Sequence, residues 1–221
     1  MEQENITLSE RILNKASEFI SAVFLPFFIP LAAFIAMFFF TYLRVMPYEY
    51  KLIVLGIVFC FTIMMPVITI YLFLKLSGSA HGALRERSKR FMPYLLSIVS
   101  FIFCSMMMYR LNIPWYMNGI ILSSVLIMIV FMLVNIQWNM SIHAGGMGAI
   151  IGGIISFGGL FGYNPVWLLC IFIVLAGLVG SSRMILGRHT LNEVMAGFTV
   201  GLICTIAVLH PSSNLFYRLL F

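Results

Sequence analysis

Long uninterrupted stretches of apolar residues, separated by short polar connectors, dominate the chain. A hydrocarbon core of ~30 Å needs about 20 apolar residues in a helix. Seven runs approach that length: 19–43, 52–75, 93–109, 118–136, 144–161, 164–181 and 194–209. They are continuous rather than alternating, which predicts membrane helices and not the strands of a barrel. Pro26, Pro30 and Pro66 fall inside the first two runs, an interruption that membrane helices tolerate better than soluble ones. The expected fold is all-α, a polytopic transmembrane helix bundle of six to seven membrane helices. The longest connector is 76–92, and neither a composition break nor a repeat marks a second unit, so residues 1–221 read as a single domain.

Composition supports this reading and narrows the chemistry. Of 221 residues, 62% are hydrophobic and 9% charged, against ~25% charged in an average soluble domain. A soluble fold of this length could not hide so much apolar surface, and a disordered chain, a coiled coil or a disulfide-stapled domain is equally excluded. All seven acids are Glu, and after residue 86 Glu193 is the last of them. Hard cations want several carboxylate oxygens, so no metal site is expected, and no cofactor either. Cys60, Cys104, Cys170 and Cys204 stand singly in apolar runs and read as small buried hydrophobes. The polar, acidic N-terminus lacks a cleavable-leader pattern and is expected to stay in place.

Counting crossings adds a spatial expectation. With the N-terminus on one face, the connectors 76–92, 137–143 and 182–193 all return to that face. They carry Arg85, Arg87, Lys89 and Arg90, then Ser141 and His143, then Arg183, Arg188, His189 and Glu193. Three stretches far apart in sequence thus bring their ionisable groups to one membrane surface, provided every run crosses. Nine basic residues fall on that side and four on the other, a bias that would make it cytoplasmic were several of the nine not candidates for chemistry.

The most specific pattern is Ser182-Arg183, five residues, His189, three residues, Glu193. With a helix starting near residue 190, His189 and Glu193 share a face at i, i+4. A carboxylate there can accept the imidazole Nδ1–H and leave Nε2 as a nucleophile. Arg183 supplies a planar donor fork for phosphate oxygens. The competing structural reading is a His–Glu pair capping a helix, with Arg183 and Arg188 as membrane-edge anchors. Ser141-Ile142-His143 opens another run, where free N–H groups and the helix dipole favour an anion and His143 can give a proton to a leaving oxygen. Of the glycines that follow, Gly148, Gly152 and Gly153 read as close-packing positions, with Gly145 and Gly146 open between packing and chemistry. The basic run from Arg85 to Arg90 reads either as a headgroup-facing anchor or as a further phosphate contact. His81 and His210 have no motif partners.

Arg183, His189 and Glu193, with Leu186-Gly187 before the His and Val194, Ala196 and Gly197 after the acid, resemble the third signature of the type-2 phosphatidic acid phosphatase superfamily, S-R-x₅-H-x₃-D. Ser141-Ile142-His143 resembles the second, P-S-G-H, and Arg87–Pro93 loosely resembles the first, K-x₆-R-P. The resemblance implies a metal-free phosphatase acting on a phosphate-bearing membrane lipid, with no nucleic-acid partner, in a bacterial inner membrane. Carried over, His189 is the nucleophile that forms a phosphohistidine, Glu193 orients it, and His143 protonates the leaving group. Arg183, Ser141 and Arg90 hold phosphate oxygens, assisted by Lys89, Arg87 or Arg85. The chain departs from the pattern in three places: Glu193 stands for Asp, Met140 and Ile142 replace Pro and Gly, and Met92 occupies the first signature's Arg position. Expected substrates are polyprenyl pyrophosphate, phosphatidylglycerol phosphate, phosphatidic acid or lipid A phosphates. The alternative is a non-catalytic binder or transporter of an anionic lipid using the same basic face. Neither reading sets the oligomeric state.

Overall fold

The computed structural model describes residues 8–23, 27–40, 42–76 and 91–210, and these are all-helical. In order they form α1 (Leu8–Val23), α2 (Phe28–Phe40), a 3₁₀ turn (Tyr42–Val45), α3 (Tyr48–Phe59), a π-helical turn (Cys60–Met64) and α4 (Met65–Leu76). There follow α5 (Phe91–Arg110), α6 (Trp115–Val134), α7 (Ile142–Phe161), α8 (Val166–Ile185) and α9 (Leu191–Leu209). Six segments among the described residues are long and apolar enough to cross a membrane: Tyr48–Lys75 and α5 to α9. The protein is an integral membrane protein.

The first expected run, 19–43, is broken in two. α1 ends at Val23 and α2 holds 13 residues, about 20 Å at 1.5 Å per residue, short of a full crossing. Pro30 sits in the first turn of α2, where a missing N–H costs nothing, so the helix begins just ahead of it. This break precedes all three polar connectors. For 137–143 and 182–193 the shared face depends only on α7 and α8 between them, and it survives; residues 77–90 of the first connector lie outside the described residues.

Pro66 is absorbed differently. The π-helical turn lies just before it, and Ser100 of α5 donates its hydroxyl to the Phe61 carbonyl at 2.6 Å. The carbonyl that a proline five residues on leaves without an N–H is thereby satisfied from a neighbouring helix, as the bilayer requires.

α7 and α9 form the tightest pair. A Cβ at Gly148 would collide with the Phe198 carbonyl, and one at Gly201 with the Gly145 carbonyl, so the two backbones touch directly. Gly145 and Gly152 join this contact, whereas Gly153 has only Thr205 Cγ2 at 4.0 Å and is not a packing position. The main apolar core lies toward the opposite end of the bundle, around Phe34, Leu43, Met108, Met117 and Ile121. Of the cysteines only Cys104 is buried; Cys170 is exposed on α8, and Cys60 and Cys204 are half-covered.

Candidate active site

The spacing between Arg183 and His189 follows from how one helix stops and the next starts. α8 ends at Ile185, and Gly187 takes the left-handed conformation (φ +61°) that suits a residue without Cβ. The Gly187 N–H donates to the Met184 carbonyl (2.9 Å), and the Arg188 N–H donates to the Arg183 carbonyl (3.1 Å). This is a Schellman motif, and it ties the residue carrying the guanidinium to the residue just before His189. Thr190 then caps α9. Its Oγ1 accepts from the Glu193 N–H (3.4 Å), and Glu193 Oε2 accepts from the Thr190 N–H (3.0 Å), a reciprocal capping box.

Glu193 therefore has two tasks. The same Oε2 lies 3.2 Å from His189 Nδ1, which is also 3.2 Å from the Asn139 carbonyl. Both neighbours only accept, so the ring proton sits on Nδ1 and the Nε2 lone pair is free. The pair is largely covered, with side-chain exposures of 9% for His189 and 15% for Glu193. Burial pushes the His189 pKa below the ordinary 6.5; the hydrogen bond to Glu193 opposes this, and the Arg183 charge adds to it. The ring is held neutral, the form a nucleophile needs.

The connection before α7 is stitched to the first turn of α9. Besides the Asn139 carbonyl on His189, the Ser141 N–H donates to the Glu193 carbonyl at 3.1 Å. Gly197 lies against the Ser141 backbone so closely that a Cβ there would strike it. Ser141 is fully buried and caps α7, its Oγ accepting from the Ala144 N–H at 3.4 Å. Two residues on, the charges of Arg183 and His189 both act on the His143 ring, and the main chain of Ser21 accepts a hydrogen bond from it.

The fourth contributor is α1. Ser17 and Ser21, one helical turn apart, are buried, while Leu13 and Phe19 are exposed. Ser21 Oγ lies 3.4 Å from Ser182 Oγ, beside Arg183. The helix thus turns Ser17 and Ser21 inward, with Ser21 against α8, and leaves Lys15, Glu18 and Phe19 exposed. Arg183 itself is half-buried, and its Nε has no hydrogen-bond partner among the described residues. Arg188, exposed, is near enough for its charge to act on it.

Ser141, His143, Arg183, His189 and Glu193 thus gather at one end of α7, α8 and α9. The expected contacts Arg85, Arg87, Lys89 and Arg90 lie outside the described residues. Sequence reasoning missed Asn139 and Ser21, which act through main-chain carbonyls and leave no side-chain signal. It also missed the double role of Glu193, although Thr190-x-x-Glu193 is a capping-box pattern. Among the described residues no three His, Cys, Asp or Glu side chains gather as a metal-ligand cluster.

No curated protein and no solved structure matches the chain. Residues 123–216, from within α6 to just past α9, match the family model of the PAP2 superfamily, the same family of phosphatases that the motifs resemble.

Proposed function

We propose that the protein is a metal-independent phosphatase of membrane lipid phosphates or pyrophosphates working through a phosphohistidine. His189 Nε2 attacks phosphorus; the N–P bond forms as the bond from phosphorus to the leaving oxygen breaks, and His143 delivers its proton to that oxygen. Water then attacks the phosphohistidine, His143 takes the water's proton, and inorganic phosphate leaves with His189 restored. Glu193 and the Asn139 carbonyl hold the ring and stabilise the charge it acquires. Arg183, and Ser141 through its hydroxyl hydrogen, hold the equatorial oxygens, with Arg90, Lys89, Arg87 and Arg85 as further anchors. Positioning and charge stabilisation dominate phosphoryl transfer, and this residue set supplies both.

One observation carries the reading: a largely covered, neutral imidazole, its Nδ1 tied to Glu193, lies within charge range of a second imidazole and of an Arg whose Nε has no partner among the described residues. The candidate substrates are polyprenyl pyrophosphate, phosphatidylglycerol phosphate, phosphatidic acid and lipid A phosphates. The test is phosphate release from these lipids in EDTA, together with trapping of an acid-labile, ³²P-labelled protein. Both signals are expected in wild type and absent in His189→Ala. Strict dependence on added divalent metal would overturn the mechanism, as would labelling that persists in His189→Ala.

A further inference from the structure

The face of α7 that carries His143 continues as Gly146, Ile150, Gly153 and Phe157, steps of three and four residues that keep one side of a helix. Ile29 of α2 leans over this face at Gly146, where a Cβ would strike its Cδ1. Immediately below opens a cavity of about 310 Å³ whose floor is that same face, from Ala149 to Phe157. α2 contributes one wall through Ala33 and Ala36, α8 the other through Phe172, and α6 and α9 close the back. The two α6 hydroxyls at the back, Ser123 and Ser124, both donate to the Ile120 carbonyl, at 2.8 and 3.0 Å. Of the other two hydroxyl-bearing residues on the lining, Thr205 is buried against α7, its Oγ1 without a partner among the described residues, and Tyr163 follows the C-terminal end of α7.

From Ala149 to Phe157 the floor runs about 12 Å, which gives the cavity a mean cross-section of roughly 26 Å². A space that narrow, half open on one side, admits about one extended hydrocarbon chain. Its near end lies about 10 Å along α7 from His143.

We infer that this cavity is the seat of a single hydrocarbon chain whose phosphate end lies at His143 and His189, so the preferred ligands are single-chain lipid phosphates, monoacyl, monoalkyl or prenyl, rather than two-chain phospholipids. The inference rests on the phosphate site proposed above and deepens it. Burial of a methylene contributes ~0.8 kcal/mol, about fourfold in affinity, so affinity for alkyl phosphates rises with chain length until the slot is full.

The test uses a single-chain alkyl phosphate with a mid-chain diazirine, photolysed with the full chain in nanodiscs. The protein carries His189→Ala, so that turnover plays no part. Labelling is expected at Ala33, Ala36 or Ile150. It should fall at least tenfold when Gly153→Phe is added, a change the open space at Gly153 admits. Ala36→Leu narrows the slot from the opposite wall and serves as a second variant. A diacyl phosphatidic acid should compete at least tenfold less well than an unlabelled single-chain phosphate. Labelling confined to the outer face of α8, such as Trp167 and Ile173, would overturn the inference, and so would equal competition by the two-chain lipid. Phosphate release by the wild type is scored separately. Labelled walls without turnover sink the phosphatase reading alone, and turnover with unlabelled walls sinks the cavity alone.

Discussion

Glu193 explains both a departure from the family pattern and a pH dependence. Its extra methylene lets one carboxylate reach the Thr190 N–H and His189 Nδ1 together. Glu193→Asp keeps the charge but shortens the arm, so the expected effect is loss of the reciprocal cap, about 1 kcal/mol of stability, read as a lower melting temperature. Glu193→Gln keeps the reach and removes the charge, and kcat should fall about 10²- to 10⁴-fold. The pH sign follows from the ring. Under the proposed mechanism attack needs neutral His189, whose pKa lies below 6.5, so the acid limb of activity lies beneath that value. The need for a protonated His143 adds an alkaline limb. Glu193 favours the protonated ring, so the residual activity of Glu193→Gln should show its acid limb at still lower pH. A limb shifted toward neutral would contradict this assignment.

At the level of elements, the helix pair α7–α9 is set by missing side chains rather than by present ones. Gly148→Ala places a methyl against the Phe198 carbonyl and, at 3.0 Å, against the Leu202 nitrogen, backbone that cannot yield. We expect a loss of about 1–3 kcal/mol, seen as a lower unfolding temperature in detergent, whereas Gly153→Ala should be neutral or stabilising. The difference between these two glycines was not legible in the sequence, because both sit on small-residue faces of one helix. The elements themselves were legible wherever a run was long and unbroken. The exception was 19–43, where continuous apolar content masked the break between α1 and α2. The serine stripe of α1, which turns that helix toward α8, reads in sequence as ordinary surface polarity.

Over the whole molecule, the two connectors that build the site, 135–141 and 186–190, meet at one end, with the turns at 111–114 and 162–165 at the other. A membrane-impermeant maleimide should therefore label Gln137→Cys and Arg188→Cys from the same side and Asn164→Cys from the opposite side, in a background without the native cysteines. Labelling of Gln137→Cys and Arg188→Cys from different sides would break the arrangement. The convergence was readable from sequence because it needs only an even number of crossings between connectors. The main-chain carbonyls of Asn139 and Ser21 were not, since their part depends on where a backbone passes. The joint from Gly187 to Thr190, anchored to one helix behind it and to another ahead, has no slack. On the proposed phosphatase mechanism, such a corner puts the attacking atom in place before any lipid arrives. No assembly step then delays the chemistry, and the pace of turnover passes to the traffic of greasy molecules between protein and bilayer.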